Sequence, residues 1–409
     1  MRRKPLRDTR EGQVPSDPTR KEWVLAIGLT CVVVVLTRLP VARLGPIETD
    51  EFGYLAILER YALPPHHTLF LAAGRIVGRV VGDPYFGFVV LDMGTSSLAL
   101  IAAWWWLRGL VRPSVAVSGT ALLAFAPVFW TYGALAGNYT AIVAVGCTLL
   151  GITARAPRPW HPWLAAVVLA LGTGYRQDIG TLWLPVFGGI MFRHRWRAAV
   201  GPVCLFTILN LTWIAAMLWS VGGWSRYREI TAEFAHSAGY LNSAFHLGWI
   251  DAPLRYSVKL AMALVGTFGL ALIVIPRGLA RLAHNQPHLL MIMILSMLPA
   301  FCMHMLIHFG VPGYAMHYVP ALLGLIAVGV GRAADLDHAS GRLATLACLS
   351  ALVFLLYPTD YERGGRWGDF DMAFARSTRV GLRLPMSIEG PKTWRTINSS
   401  PIAKEPHVD

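Results

Sequence analysis

Charge is scarce in this sequence. Of its 409 residues, 14% are Asp, Glu, Lys or Arg, whereas soluble globular domains carry roughly 25%. Hydrophobic residues make up 55% of the chain, and the mean hydropathy is +0.49. This composition excludes an ordinary cytosolic enzyme and indicates a protein that crosses a membrane several times.

Cysteine is scarce too, and the patterns that several kinds of catalysis need are missing. Glycine-rich phosphate loops after a strand, serine nucleophile elbows and Cys/His pairs with catalytic spacing do not occur. The cysteines fall in apolar segments without disulfide or metal-ligand spacing. They are predicted to be small apolar residues in helix interfaces: Cys31, Cys147, Cys204, Cys302 and Cys348.

The net charge of +13 comes from 36 Lys and Arg against 23 Asp and Glu. These basic residues lie in short clusters between apolar stretches, as in proteins whose loops fix membrane orientation. They form no continuous basic patch interleaved with aromatic residues, which nucleic-acid binding would need. We therefore expect membrane lipids, and no nucleic acid, among the partners.

Apolar segments long enough to consider as membrane crossings recur along the chain. The fifth and sixth are short for a bilayer crossing. The predicted fold is an all-α integral membrane bundle of about eleven helices, over residues 23–36, 86–107, 115–132, 139–153, 163–173, 179–192, 198–219, 260–275, 289–307, 316–330 and 343–356.

Arginine placement predicts the orientation. Alternate short connections contain arginine, as at Arg155 and Arg158, whereas residues 133–138 and 308–315 contain no Lys or Arg. If the basic connections are cytoplasmic, the N-terminus is inside and the C-terminus outside the plasma (inner) membrane. The expected organisation is a cytoplasmic basic arm (1–22), a transmembrane domain (23–357) and an extracytoplasmic tail (358–409).

The first extracytoplasmic loop contains an amphipathic stretch, residues 68–81, interrupted by Arg75 and Arg79. An arginine at the bilayer centre costs on the order of 2.5–3.5 kcal/mol even on the lenient insertion scale. We therefore expect this stretch to be an amphipathic helix at the outer membrane face.

Acidic residues cluster just after the first span, at Glu48, Asp50 and Glu51. They could simply stabilise a helix start, with Thr49 as its cap. Alternatively, one carboxylate acts as a general base at the membrane surface while another acid orients it or a bound cation. Both interpretations stay open on position alone.

Other polar residues are predicted at the same membrane face, where ionisable groups are functional candidates. Arg176 and Asp178 could equally form a structural ion pair in a helix break. His304 and His308, four residues apart on one helical face, could bind metal or be ordinary interfacial histidines. The remaining candidates are His66, His67, Asn138, Tyr314, His317 and Tyr318.

The order of these segments resembles the GT-C superfamily of glycosyltransferases, in the branch of protein O-mannosyltransferases and lipid A aminoarabinose transferases. The matching stretches, which lie between Trp23 and Leu356, are Thr49-Asp50-Glu51-Phe52-Gly53-Tyr54, Leu63-Pro64-Pro65-His66-His67, Gly82-Asp83-Pro84-Tyr85, Gly174-Tyr175-Arg176-Gln177-Asp178 with Leu184-Pro185, and Gly310-Val311-Pro312-Gly313-Tyr314 with Tyr318-Val319-Pro320.

The resemblance implies transfer of a sugar from a polyprenyl-phosphate carrier to a glycan, lipid or protein acceptor outside the cytoplasm. It assigns the catalytic carboxylate to Asp50, with Glu51 as its neighbour. The family commonly has a further acid where Asn138 stands here, which bears on any two-acid mechanism. No metal ligand is assigned, and a divalent cation stays open.

Chemistry suggests the other roles. A glycosyl phosphate has a good leaving group, so the protein must deprotonate the acceptor, align it and neutralise the departing phosphate. Arginine forks suit phosphate, and a single displacement inverts the anomeric carbon. The candidate donor-binding residues are Arg176, Arg255, Lys259, His66, His67, Tyr314 and His317, with Asp178, Asn138 and His308 as supporting residues.

Two other functions are compatible with the sequence. A transporter or flippase of lipid-linked sugar would show broken helices at corresponding places in two halves, whereas only the Arg176 region looks broken. A catalytically inactive GT-C-like scaffold subunit is the other alternative, favoured by Asn138 and by the polar tail.

Overall fold

A computed structural model describes residues 17–42, 54–55, 57–58, 61–194, 196–330 and 340–349. This part of the chain is helical and contains no strand. Three of the features predicted above lie outside it: most of the basic arm, the acidic cluster of Glu48, Asp50 and Glu51, and the tail 358–409.

The helices, numbered in chain order, are α1 (Arg20–Ala42), α2 (Thr68–Val81), α3 (Pro84–Arg108), α4 (Pro113–Ala124), α5 (Pro127–Tyr132), α6 (Thr140–Thr153), α7 (His161–Tyr175), α8 (Gln177–Phe192), α9 (Trp196–Val221), α10 (Trp224–Phe234), α11 (Ala244–Leu247), α12 (Asp251–Phe268), α13 (Ile275–Asn285), α14 (Pro287–Leu306) and α15 (Val319–Val330). Short 3₁₀ segments cover Tyr240–Asn242, Gly269–Val274 and Pro312–His317, a π-helical turn covers Ala235–Gly239, and residues 340–349 are helical.

Proline begins many of these helices, because its fixed φ suits the first turn and its missing N–H is not needed there. Helix α3 shows the full signal: Pro84 occupies the first turn, and the Asp83 carboxylate accepts the Phe86 N–H at 2.8 Å. Helix α1 begins with a reciprocal capping box between Thr19 and Glu22.

Among the described residues, five helical stretches are long and apolar enough to cross a membrane: Arg20–Leu39, Pro84–Arg108, Arg197–Val221, Asp251–Asn285 and Pro287–Leu306. The amphipathic helix expected in the first loop is α2. Helices α3 and α6 pack along each other at the centre, and Trp106 of α3 ties this centre to α15 by donating its indole N–H to the Pro320 carbonyl at 3.0 Å.

The structure corrects three details of the sequence prediction. The third predicted span is divided into α4 and α5, because Pro127 cannot continue the preceding helix. Helix α14 ends at Leu306, so His308 lies beyond it rather than on one helical face with His304. The cysteines are not all in helix interfaces, since only Cys147 is buried and the other four are exposed on the outer surfaces of their helices.

The two ends of the bundle differ in their charged residues. At the end where α1 begins, Arg108 pairs with Glu22, Arg155 and Arg158 pair with Asp17, and Arg193 donates to the Arg155 carbonyl. The basic connections predicted to share one side of a membrane thus contact one another. The opposite end holds Arg176 and is called the Arg176 end below.

The backbones of α2 and α3 are in direct contact. This contact positions the first loop at the Arg176 end of the bundle. A Cβ at Gly87 would lie 2.4 Å from the Gly78 nitrogen and 2.7 Å from the Gly74 carbonyl oxygen. Arg75 holds the preceding turn by donating to the carbonyls of Leu58, Tyr61 and Ala62. Glycines such as Gly74, Gly78 and Gly87 let helices in a membrane pack closely.

We expect Gly87→Ala to lower the stability of the protein by about 1–3 kcal/mol, the usual cost of overpacking. The measurement is the midpoint of thermal unfolding in detergent. Gly94→Ala is the matched control, because it lies on the same helix with open space around its Cβ position and should be neutral or slightly stabilising. Equal midpoints for the two variants would contradict the close contact.

Candidate active site

A break between α7 and α8 creates the centre of the site. Helix α7 ends at Tyr175, Arg176 is extended (φ −152°, ψ 113°), and α8 begins at Gln177. Arg176 is 3% exposed. A cation with so little access to water needs partners that replace its hydration.

Those partners come from three parts of the chain. Arg176 Nε donates to Asp178 Oδ2 at 3.0 Å, and Nη1 donates to Asn138 Oδ1 at 2.6 Å. The guanidinium carbon lies 4.0 Å from the Tyr139 ring centroid and 5.2 Å from that of Tyr314. Nη2 makes no hydrogen bond within the described part of the chain, so the guanidinium can still bind an anion.

Asn138 is positioned by a residue that the sequence analysis did not select. Its backbone is left-handed (φ 51°), and its N–H donates to Asp92 Oδ2 at 2.8 Å. Asp92 is fully buried in α3, where Thr95 also donates to its carboxylate at 3.3 Å. A single acid inside a 25-residue apolar helix is itself a signal of function. Asp92 could have been selected from the sequence by this signal.

Histidines complete the opposite wall. His317 Nε2 lies 3.4 Å from Asp178 Oδ2, and His304 Nδ1 lies 3.0 Å from the Tyr318 hydroxyl. The two imidazoles are 5.8 Å apart between ring centroids and both are fully buried. Tyr314 packs edge-on against His304 at 5.2 Å.

His66 and His67 enter from the first loop. The His67 N–H donates to Gln177 Oε1 at 3.1 Å, which connects this loop to the start of α8. Burial and the nearby Arg176 lower the pKa of His66 to about 4, although Asp178 acts in the other direction. Burial, with His66 and Arg176, also lowers the pKa of His67. Both rings are neutral near pH 7, and each can donate one hydrogen bond without adding charge.

The other predicted donor-binding residues lie farther out on α12. Lys259 is half-buried and its Nζ lies 3.4 Å from the Gly310 carbonyl oxygen, whereas Arg255 is exposed. His308 connects them to the site, because its ring lies 5.8 Å from that of Tyr314. Arg255 and Lys259 thus border the site, and Arg176 is at its centre.

Several buried polar atoms of the site have no hydrogen-bond partner within the described part of the chain. Such atoms are few in folded proteins, and a cluster of them indicates a place for a polar ligand or water. They are Asp178 Oδ1, Asn138 Nδ2, His67 Nδ1, His304 Nε2 and His317 Nδ1. Within the same described residues, no group of three or more His, Cys, Asp or Glu side chains is placed to hold a metal ion.

An apolar groove runs along the bundle between α3, α6 and α7, and Tyr175, next to Arg176 in the chain, lines one of its ends. Its volume is about 910 Å³. At the Arg176 end it is lined by Leu69, Thr95 and Tyr175, and at the other end by Trp105, Arg155 and Trp160. Helix α7, which follows the groove, has 15 residues and is therefore about 22 Å long.

No family model matches the sequence, and no curated protein matches it. Among solved structures, the chain is similar to ArnT from Cupriavidus metallidurans bound to undecaprenyl phosphate, with a TM-score of 0.60 and 14% identity over 90% of this chain and 70% of that chain. For ArnT in the apo state the TM-score is 0.57 with 13% identity, over 81% of this chain and 63% of that chain. An oligosaccharyltransferase from Archaeoglobus fulgidus, in complex with Zn and sulfate, gives a TM-score of 0.45 with 13% identity over 90% of this chain and 58% of that chain.

The similarity to ArnT establishes the fold. The chain has an all-α, multi-span GT-C fold and is an integral membrane protein. It spans 70% and 63% of the two ArnT chains.

The buried pair of Arg176 and Asp178 predicts an asymmetric response to mutation. We expect Asp178→Asn to lower the free energy of unfolding by about 3–5 kcal/mol, because it leaves a buried guanidinium without its carboxylate. Adding Arg176→Gln should recover part of this loss. Unfolding in mixed detergent and SDS micelles measures both variants.

The exposed pair of Arg226 and Glu229, 2.7 Å apart and more than half exposed on both sides, supplies the control. Glu229→Gln should change the free energy of unfolding by less than about 1 kcal/mol. A similar change for Glu229→Gln and Asp178→Asn would contradict the coupling inferred at the site.

Proposed function

We propose that this protein is a membrane glycosyltransferase that moves a sugar from a polyprenyl-phosphate carrier to an acceptor at the Arg176 end, with inversion of the anomeric carbon. One observation carries the proposal: the apolar groove is lined at one end by Tyr175, the residue next to the buried Arg176 in the chain. An isoprenoid tail suits the groove, and its phosphate then meets the cation. The fold shared with ArnT, which was crystallised with undecaprenyl phosphate, supports the same assignment.

Arg176 is the proposed phosphate ligand. Its Nε and Nη1 are held by Asp178 and Asn138, so Nη2, which has no hydrogen-bond partner among the described residues, is fixed in direction before a phosphate arrives. Preorganised donors of this kind stabilise developing negative charge on a leaving group. His67 and His317, buried and with unpartnered nitrogens, are the proposed neutral donors to the phosphate or sugar.

Asp50 is the proposed general base. It lies outside the described residues, but Tyr54, four residues later, is 5% exposed and packs edge-on against His67 at 5.7 Å. Because four residues of chain span at most about 14 Å, the buried position of Tyr54 beside His67 supports this assignment of Asp50. The sequence resemblance assigns the same residue, and Glu51 is its proposed helper.

The proposed reaction is one displacement. The Asp50 carboxylate takes the proton of an acceptor hydroxyl, whose oxygen attacks the anomeric carbon. The bond from that carbon to the phosphate oxygen breaks, and polyprenyl phosphate leaves with its charge balanced by Arg176. The proton on Asp50 then returns to water. The proposed location is the plasma (inner) membrane, with the Arg176 end outside the cytoplasm.

Asp50→Asn tests the chemistry. Loss of a general base lowers the rate by about 10²–10⁴-fold, whereas folding and carrier binding should persist. Membranes from a deletion strain supply accumulated lipid-linked sugar and acceptor, and mass spectrometry follows the loss of the lipid-linked sugar when the full-length protein is added. Glu229→Gln, an exposed acid on α10, should be as active as wild type. Undiminished turnover by Asp50→Asn would overturn the assignment.

Ala144→Trp tests the groove. Ala144 lines the groove on α6, and an indole there should raise the KM for a long-chain donor at least about tenfold by excluding its tail. A donor with a two-isoprene tail should be less affected. Ala198→Trp on the exposed face of α9 makes the same change outside the groove and should leave both KM values unchanged. Equal KM values in both variants would exclude the groove as the tail site.

A further inference from the structure

The other end of the groove carries its own charged site, which the proposed function does not use. Arg155 and Arg158 line the groove there, in the connection between α6 and α7, together with Asp17 and Trp160. The groove is otherwise apolar along its length. Two arginines at the mouth of an apolar channel make an amphipathic binding site of the kind that recognises lipid headgroups.

Arg155 is preorganised for an anion. Its side chain is 10% exposed, stacks over Trp105 with 4.1 Å between the guanidinium carbon and the ring centroid, and donates Nη1 and Nη2 to the carbonyls of Gly151 and Trp105 at 2.7 and 2.5 Å. Its Nε lies 3.6 Å from Asp17 Oδ1 at the mouth of the groove. Its direction is therefore fixed without the carboxylate.

Asp17 occupies the position that an anionic ligand would take. Its two carboxylate oxygens face different arginines, since Oδ2 pairs with Arg158 Nη2 while Oδ1 faces Arg155. This bridging geometry is the one that a phosphate adopts between two guanidinium groups. The carboxylate thus stands in for two oxygens of a phosphate.

The contact of Asp17 can be displaced without unfolding the bundle. Its side chain is 42% exposed, and that of Arg158 is 50% exposed, so the ion pair contributes little stability. Asp17 also precedes the capping box of Thr19 and Glu22. Helix α1 therefore keeps its start when Asp17 moves away.

The surroundings favour a lipid over a soluble anion. Trp23, Trp105 and Trp160 line this end of the groove, and tryptophan is enriched at the headgroup level of membranes. Beyond them, Leu98 and Leu164 continue an apolar surface toward the Arg176 end. A ligand that fits has a phosphate at the mouth and a hydrocarbon chain in the groove.

We propose that Arg155 and Arg158 form a second site, at the end of the groove opposite Arg176, for the phosphate of an anionic lipid, and that Asp17 competes for it. This proposal uses none of the polar residues assigned to the reaction, although its lipid tail enters the groove that the proposed function gives to the carrier. When the lipid binds, its phosphate takes the place of the Asp17 carboxylate beside the two arginines. No covalent bond forms or breaks.

Native mass spectrometry of the full-length protein with dioleoyl phosphatidic acid tests the site. We expect Arg158→Gln to weaken binding about tenfold or more, because a charge-assisted contact is lost, and Asp17→Asn to strengthen it several-fold. Arg112→Gln is the matched control: Arg112 is an exposed arginine at the same end that does not line the groove, and binding should be unchanged.

Two further probes distinguish the sources of affinity. Dioleoyl phosphatidylcholine offers the same chains with a zwitterionic headgroup, and inorganic phosphate offers the anion alone; we expect both to bind more weakly than phosphatidic acid. Equal loss of phosphatidic acid binding in Arg158→Gln and Arg112→Gln, or none in either, overturns the proposal. Inorganic phosphate binding as tightly as phosphatidic acid would replace it with a free-phosphate site.

Discussion

A buried guanidinium at a helix break is the constraint on which the Arg176 end depends. Arg176 follows the last residue of α7, and Asp178 lies in the first turn of α8. The carbonyl end of one helix favours the cation, and the amide end of the next favours the carboxylate. The break therefore stabilises both members of the ion pair, and continuing α7 into α8 would remove this benefit while leaving two charges in an apolar bundle.

This pair also determines the surrounding geometry. Asn138 reaches Arg176 only because Asp92 holds its backbone N–H in a left-handed conformation. His317 meets Asp178 from the 3₁₀ segment before α15. Two other parts of the chain, at Asn138 and His317, thus contribute polar groups to the two charged side chains. Without these contacts, polar atoms would be left unsatisfied in an apolar interior. These hydrogen bonds hold the side chains rigidly, which suits a site that must keep its hydrogen-bond donors in fixed directions.

The sequence predicted the membrane architecture and most of the polar groups that the structure brings together. Charge periodicity placed Asn138, Arg176, Asp178 and His317 at one end, because loop sidedness depends only on counting spans and arginines. It missed Asp92, although a lone acid in an apolar helix is a local signal, and no local pattern shows that the partner of Asp92 is 46 positions away. It also placed His308 on a helix that ends at Leu306, because periodicity does not show where a helix gives way to the Gly310-Val311-Pro312 turn.

The groove connects its two charged ends through one apolar volume. Under both proposals, a carrier lipid anchored at Arg176 and an anionic lipid anchored at Arg155 would insert their tails into the same 910 Å³ from opposite directions. Helix α7 makes that path only about 22 Å long, so two long chains cannot occupy it fully at once. Binding at one end must then weaken binding at the other, and thermodynamic linkage requires the same factor in both directions. Under the second proposal, Asp17 holds Arg155 and Arg158 when no lipid is bound, which would leave the groove open to a tail from the Arg176 end.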